Sequence, residues 1–312
     1  MRKRAVKIIF SLNNSMKTNK MPSVLLIFLD GVGIGIKNDS NPFAVIENLA
    51  PLAHFQGIRT EIIFAGQMIP TDARLGVEGR PQSASGQTTI YTGINAPQFL
   101  GYHKQGFPNE KLREVISEYS IFLQLKQKQI EPNIFANVYP PQFFQTVPRW
   151  KSATTCAVEV AGMRFCRLPD LLGRKALFHD FTNDDLRKRG FDAPTFSPSD
   201  AAEILADLSK NYRFTLYEHF ITDKIGHAQD FEQARIHLPL VAEFVRETLR
   251  KVDLEKTTVI LTSDHGNLED LSVRRHTLND VPTIIWGRKK DETAAQIKDL
   301  TDITPAILHL LS

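Results

Sequence analysis

Acidic residues and histidines able to bind a metal fall at three places along the chain: Asp30, then Asp223 and His227, then Asp264, His265 and His276. Carboxylates and imidazoles are the oxygen and nitrogen donors that divalent cations take, and three such ligands leave room on an ion for substrate. Asp223 and His227, in DKIGH, are four apart, which puts both side chains on one face if a helix begins there. With His276 they make one carboxylate and two imidazoles, a set suited to zinc or manganese. Asp30, Asp264 and His265 make a second set of similar character. A single aspartate after a strand ordinarily caps a helix or forms a turn, and a single histidine is ordinarily structural. Six of them at three strand ends call for a joint explanation, which is a metal centre. Glu269 and Asp270 lie between His265 and His276 and are left outside both sets.

Ser83, in RPQSASGQTTIYTG, is the candidate nucleophile. Small residues around it allow a tight turn into a helix whose first amides, with the helix dipole, favour a phosphate or an anionic oxygen. Standing alone, the stretch would be a serine-rich helix cap. Beside two metals it gains chemistry, because a metal lowers the pKa of a bound hydroxyl. The stretch DGVGIG at 30 to 35 invites a dinucleotide-binding reading, but the third required glycine position is Ile36 and the strand ends in an acid that repels a pyrophosphate.

Three of these positions follow apolar runs. VLLIFL (Val24–Leu29) runs into Asp30, FTLYEHF (Phe214–Phe220) leads to Asp223, and TTVILT (Thr257–Thr262) leads to Asp264 and His265. Pro282–Trp286 reads as a fourth strand and Asn133–Val138 as a fifth. Helical patterns lie between them at Glu110–Tyr119, Ser120–Lys128, Pro198–Ser209, Phe231–Lys251 and Asp302–Leu311, with Pro239 predicting a kink or restart in the fourth. Helix alternating with nearly all-apolar strand is the pattern of a mostly parallel sheet flanked by helices on both faces, an α/β fold. In such a sheet ligands bind beyond the carboxyl ends of the strands, where all three sets can converge.

Residues 140 to 195 break the alternation and read as a small inserted cap, which leaves 22–139 and 196–312 as the metal-binding core. Residues 1–21 read as a basic, disordered tail, with translation starting at Met16 or Met21 as an alternative. The chain has 312 residues, 42% of them hydrophobic, and a formal net charge of +3 concentrated near its start, so composition gives no support to nucleic-acid binding. No apolar run reaches the roughly 18 residues that span a bilayer. Cys156 and Cys166 make neither a CxxC pair nor a disulfide framework, so a cytoplasmic protein is expected.

Asp30-Gly after the first strand, the serine in PQSASGQT, Asp223-x-x-Gly-His227, Asp264-His265-Gly-Asn and His276-Thr together resemble the alkaline phosphatase superfamily. The branch most similar is that of the cofactor-independent phosphoglycerate mutases and phosphopentomutases. The resemblance covers roughly residues 22–100 and 198–312. It implies two divalent metal ions, manganese or zinc. Asp223, His227 and His276 would hold one; Asp30, Asp264 and His265 would hold the other, with Ser83 as bridging ligand and nucleophile. The substrate would be a small phosphorylated metabolite, and Arg80, Gln87, Lys224, Arg149, Lys151 and His179 are candidate contacts, together with the HDFTN stretch at 179–183. Charged residues are mostly solvated, which is the ordinary reading of each. Two departures bear on the reaction. Gly86 is followed by Gln87 where those mutases have Gly-His, and the interval from Ser83 to Asp223 is shorter than theirs. No Cys-x-Pro-x-Arg pattern marks a sulfatase. Phosphatase and phosphomutase therefore stand side by side, with a phosphodiesterase or a non-catalytic metal-binding module as alternatives.

Overall fold

The computed structural model describes residues 21–145 and 150–312. All but one residue of the expected tail, and Arg149, lie outside the described residues. Among the described residues eight strands form: β1 (Ser23–Leu29), β2 (Gln67–Thr71), β3 (Asn133–Phe135), β4 (Val138–Tyr139), β5 (Cys166–Arg167), β6 (Phe214–His219), β7 (Thr257–Thr262) and β8 (Val281–Trp286). Six of them make one sheet in the order β2-β8-β7-β1-β6-β3, and β4 pairs with β5 apart from it. β1 lies between β6 and β7 and is parallel to both, and β3 extends the parallel run beside β6. β8 is antiparallel to β7 and β2 is antiparallel to β8.

The sheet is buried on both faces, as its apolar strands require. Leu25, Ile27, Tyr217, Val259, Leu261 and Ile284 point to one side, where they meet two long helices, Pro198–Asn211 and Phe231–Lys251. Val24, Leu26, Phe28, Leu216, Ile260 and Ile285 point to the other, against helices Ser83–Thr92, Ile121–Gln127 and Ile303–Leu311. This alternation along each strand is the period-two geometry of a pleated sheet. Each fully buried leucine, isoleucine or phenylalanine in it contributes about 1.5–3 kcal/mol.

The structure adds detail that the sequence reading lacks, and the strand expected at Asn133–Val138 is broken, β3 ending at Phe135 and β4 beginning at Val138 in the other sheet. β2 was not expected: QMIPT carries a proline and only two β-branched residues, and it survives as an edge strand, where proline is tolerated. Phe231–Lys251 is one helix through Pro239. The carbonyl that loses its donor there belongs to exposed Arg235, so water can replace the bond. The described residues of the stretch 140–195, read as a small inserted cap, contribute to both core clusters. Ala153, Ala157 and Val158 of helix Ala153–Val160 join the face carrying Val24, and Leu171, Leu177, Phe178, Phe181 and Leu186 join the face carrying Leu25.

The direction of β8 matters for the site. Because β7 and β8 are antiparallel, the segment joining them leaves and re-enters the sheet at the same edge. Residues 263–280 therefore stay on the rim where β1 and β6 also end.

Candidate metal centre

Asp30 follows β1 directly, and its amide donates to the His219 carbonyl at the end of β6, 2.9 Å away. Gly31 then turns with φ +71°, and a Cβ there would lie 2.7 Å from Asp223 Oδ1, so only glycine lets the two acidic loops approach. Thr222 Oγ1 donates to the Asp30 carbonyl (2.6 Å), tying helix Ile221–Ala228, which carries Asp223 and His227, to the end of β1. Ser263 accepts from the Val32 amide (2.9 Å) and so ties the end of β7 to the same loop. Three strand ends are thereby stitched together before any ligand side chain is considered.

The six acidic and histidine ligand candidates form two groups. One is Asp30, Asp264 and His265, all buried; the other is Asp223, His227 and His276. In each group one donor atom per residue lies within 4.8 Å of the others. His265 Nε2 is 3.4 Å from Asp30 Oδ1, 3.5 Å from Asp264 Oδ2 and 3.1 Å from Ser83 Oγ. In the other group, Asp223 Oδ2 is 3.4 Å from His227 Nε2 and Asp223 Oδ1 is 3.7 Å from His276 Nε2. The groups abut: the His265 and His276 rings stack with centroids 3.6 Å apart and planes 13° from parallel. Ser83 stands at the start of its helix, and Gly86 brings that helix against Asp264, where a Cβ would be 3.0 Å from the Asp264 carbonyl oxygen.

Hydrogen bonds set the imidazoles for ligation. His276 Nδ1 donates to the Pro81 carbonyl (2.8 Å) and His227 Nδ1 to the Arg274 carbonyl (3.0 Å), which turns both Nε2 atoms toward Asp223 as acceptors. Asn267 Nδ2 donates to Asp223 Oδ1 (2.8 Å).

The electrostatics ask for a cation. Burial first, then Asp264 and Asp223, raise the Asp30 carboxyl well above the usual carboxylate range. Burial, then Asp223, push Asp264 up to about 7. Burial lowers His265 to about 4, and burial together with His265 lowers His276 to about 4. Two oxygens, Asp30 Oδ1 and Asp264 Oδ1, are buried with no hydrogen-bond donor. Ionised carboxylates with neutral imidazoles are what a divalent ion binds, and such an ion offsets the cost of burying these charges. The donor set fits divalent metal ions.

The other sequence candidates are placed variously. Gln87 is buried and donates to Asp264 Oδ2 (3.2 Å), so it holds a ligand candidate. Arg80 is exposed and its Nη1 donates to the His276 carbonyl (3.0 Å) at the rim. Lys224 is exposed beside Asp223. His179 is buried, pairs with Asp185 (3.2 Å) and lies against the Phe220 ring. Lys151 is bonded to both Glu159 oxygens at 2.8 Å. In HDFTN, Asp180 accepts from the Asn183 and Asp185 amides, which makes the stretch a turn. Sequence reasoning missed Glu218, which is fully enclosed and accepts from Tyr91 OH (2.6 Å) and from Thr154 Oγ1. Burial raises it to about 7. Its only signal was an acid inside an otherwise apolar strand.

The family model described as the metalloenzyme superfamily matches residues 190–312, the span holding Asp223, His227, Asp264, His265 and His276. Curated relatives include the 2,3-bisphosphoglycerate-independent phosphoglycerate mutase of Dinoroseobacter shibae, 29% identical over 126 residues, covering 38% of this chain and 25% of that one. The enzyme of the same name from Clostridium botulinum is 32% identical over 97 residues, 29% of this chain and 19% of that one. The chain thus spans a quarter or less of the length of these relatives. Among solved structures, the PH0037 protein from Pyrococcus horikoshii superposes with TM-score 0.54 at 16% identity, covering 93% of this chain and 97% of that one. A cold-active alkaline phosphatase from a psychrophilic Shewanella gives TM-score 0.53 at 12% identity, covering 93% and 100%. The fold is thus shared with these structures along nearly the whole chain, and residues 190–312, which hold five of the six acidic and histidine ligand candidates, match the metalloenzyme superfamily in sequence.

Proposed function

We propose that the chain transfers the phosphoryl group of a small phosphorylated metabolite, with Ser83 as nucleophile and two divalent metal ions, manganese or zinc. The observation that carries this reading is Ser83 Oγ at 3.1 Å from His265 Nε2, inside one acid-imidazole group and beside the second. Asp30, Asp264, His265 and Ser83 would hold one ion, and Asp223, His227 and His276 the other. When bound, the ions acidify the serine hydroxyl and offset the charge on the transferring phosphoryl group.

The chain's own residues do the rest. Ser83 gives up its hydroxyl proton to solvent and its Oγ forms a bond to phosphorus as the bond to the ester oxygen breaks, and the leaving oxygen takes up a proton from solvent. Gln87 keeps Asp264 turned toward the site. Exposed Arg80 and Lys224 stand at the rim, where they can meet the phosphate or the rest of the substrate. Water attack on the phosphoserine gives a phosphatase; return of the group to another hydroxyl of the same substrate gives a mutase. Hydrolysis is the first reading, since the described residues of 140–195 contribute to both core clusters. The mutase reading is favoured by the phosphoglycerate mutases that match the motif-bearing segment.

The test incubates the manganese- or zinc-loaded protein with a panel of phosphorylated metabolites and follows phosphorus by NMR. Free phosphate without isomer formation supports hydrolysis; isomer without free phosphate supports the mutase; no turnover of any ester with either metal sinks the proposal.

A further inference from the structure

We infer that Glu269, which belongs to neither ligand group, is the positioning residue that holds both groups in register. The inference rests on the metal-centre reading above. Glu269 is 1% exposed, and its two oxygens accept four hydrogen bonds. Oε2 accepts from the Gly33 amide (3.0 Å) and the Asn267 amide (2.7 Å). Oε1 accepts from Asn279 Nδ2 (2.9 Å) and from Thr277 Oγ1.

Each donor lies within three residues of a ligand candidate, Asn279 three after His276. Gly33 belongs to the turn that begins at Asp30, Asn267 lies two residues after His265, and Thr277 follows His276. The Asn267 side chain carries the connection on to Asp223 Oδ1 at 2.8 Å, on the helix that also bears His227. One carboxylate therefore bonds directly to the segments that carry Asp30, His265 and His276, and reaches the Asp223 helix through the Asn267 side chain. Space has been cleared for it as well. A Cβ at Gly33 would lie 2.3 Å from Glu269 Oε1 and one at Gly266 would lie 2.1 Å from it, so both positions need glycine. The second glycine of DGVGIG is accounted for by this seat.

A carboxylate accepts from all four donors as they stand. Each oxygen faces two donors, and a glutamine in its place would turn an amide NH2 toward one pair whichever way it flipped. Aspartate, one methylene shorter, cannot keep all four bonds. Partners that orient metal ligands typically change metal affinity or activity 10- to 100-fold when they are removed.

The test measures affinity for Mn2+ and Zn2+ by competition with a chromophoric chelator, alongside kcat, KM and the thermal midpoint of the chelated protein. Glu269→Gln is expected to weaken both metals roughly 10- to 100-fold and to lower kcat while KM changes little. Thr277→Val, which removes one of the four donors, is expected to lose affinity several-fold, with Thr277→Ser restoring it; this pair decides the matter should Glu269→Gln not fold. Folded variants that bind both metals as tightly as the wild type, with only the thermal midpoint lowered, would overturn the inference and leave the metal centre standing. A wild-type protein that binds no divalent ion would overturn both.

Discussion

His276 Nε2 lies 3.1 Å from His227 Nε2, and in both rings the Nδ1 hydrogen is committed to a main-chain carbonyl. Two bare nitrogen lone pairs at that separation repel unless a proton or a metal ion stands between them. Replacing one ring should empty its group and leave the other. His276→Ala is expected to lower bound divalent metal from two ions per chain to one, measured by elemental analysis after gel filtration. Two ions retained at full affinity would remove His276 from the ligand set.

Ser83 is tested apart from the metals. Ser83→Ala keeps the imidazoles and three carboxylates, so it should still bind metal. Its kcat should fall by about three orders of magnitude or more, the range seen when a nucleophile is deleted from a cooperating site. Rapid acid quench with a phosphorus-labelled ester should trap label on the wild-type protein and none on the variant.

Metal binding should release a proton. Asp264 in the metal-free protein is raised to about 7 by burial and by Asp223, whereas the metal-bound form needs its carboxylate. Below pH 7 the apparent affinity should therefore climb with pH, by up to about tenfold per pH unit for each proton displaced. Calorimetric titrations in buffers of different ionisation enthalpy would read the proton directly. An affinity independent of pH between 5.5 and 7 would contradict the assignment.

A second pH dependence arises away from the metal centre. His219 Nε2 is 2.8 Å from His237 Nε2, with His219 Nδ1 donating to the His179 carbonyl (2.7 Å). Burial lowers His219 strongly and His237 to about 4. The native pKa lies below the unfolded value of about 6.5, so the unfolded chain binds more protons in between. Stability from this pair is complete above about 6.5 and is lost as pH falls toward 4. Asp30 and Asp264 act in the opposite sense in the metal-free protein, since their native pKa values are raised. The comparison is therefore between wild type and His237→Phe under identical conditions. Urea unfolding from pH 7.5 to 4.5 should show a shallower acid loss in the variant, and an unchanged slope would dismiss the pair as its cause.

The part of the site legible in sequence was the part carried by local chemistry. An apolar run ending in Asp30, or in Asp264 and His265, announces both a strand and what stands at its end. The direction of β8 was not legible, because Pro282–Trp286 is buried on both sides and reads the same whichever way it runs. Nor was the packing of residues 140–195, whose phenylalanines, alanines and leucines are divided between two faces of a sheet formed elsewhere in the chain. Glu269 reads from the sequence only as an acid outside both sets; its seat depends on four donors brought from the loop after β1 and from the β7–β8 connection, which no local pattern shows.

Pro81 and Arg274 orient His276 and His227 with their peptide oxygens, which every amino acid possesses. Substitution at either position can leave the ring orientation untouched provided the backbone keeps its path. The tautomers of the two imidazoles are thus set by the path of the main chain at positions 81 and 274 and not by the side chains carried there.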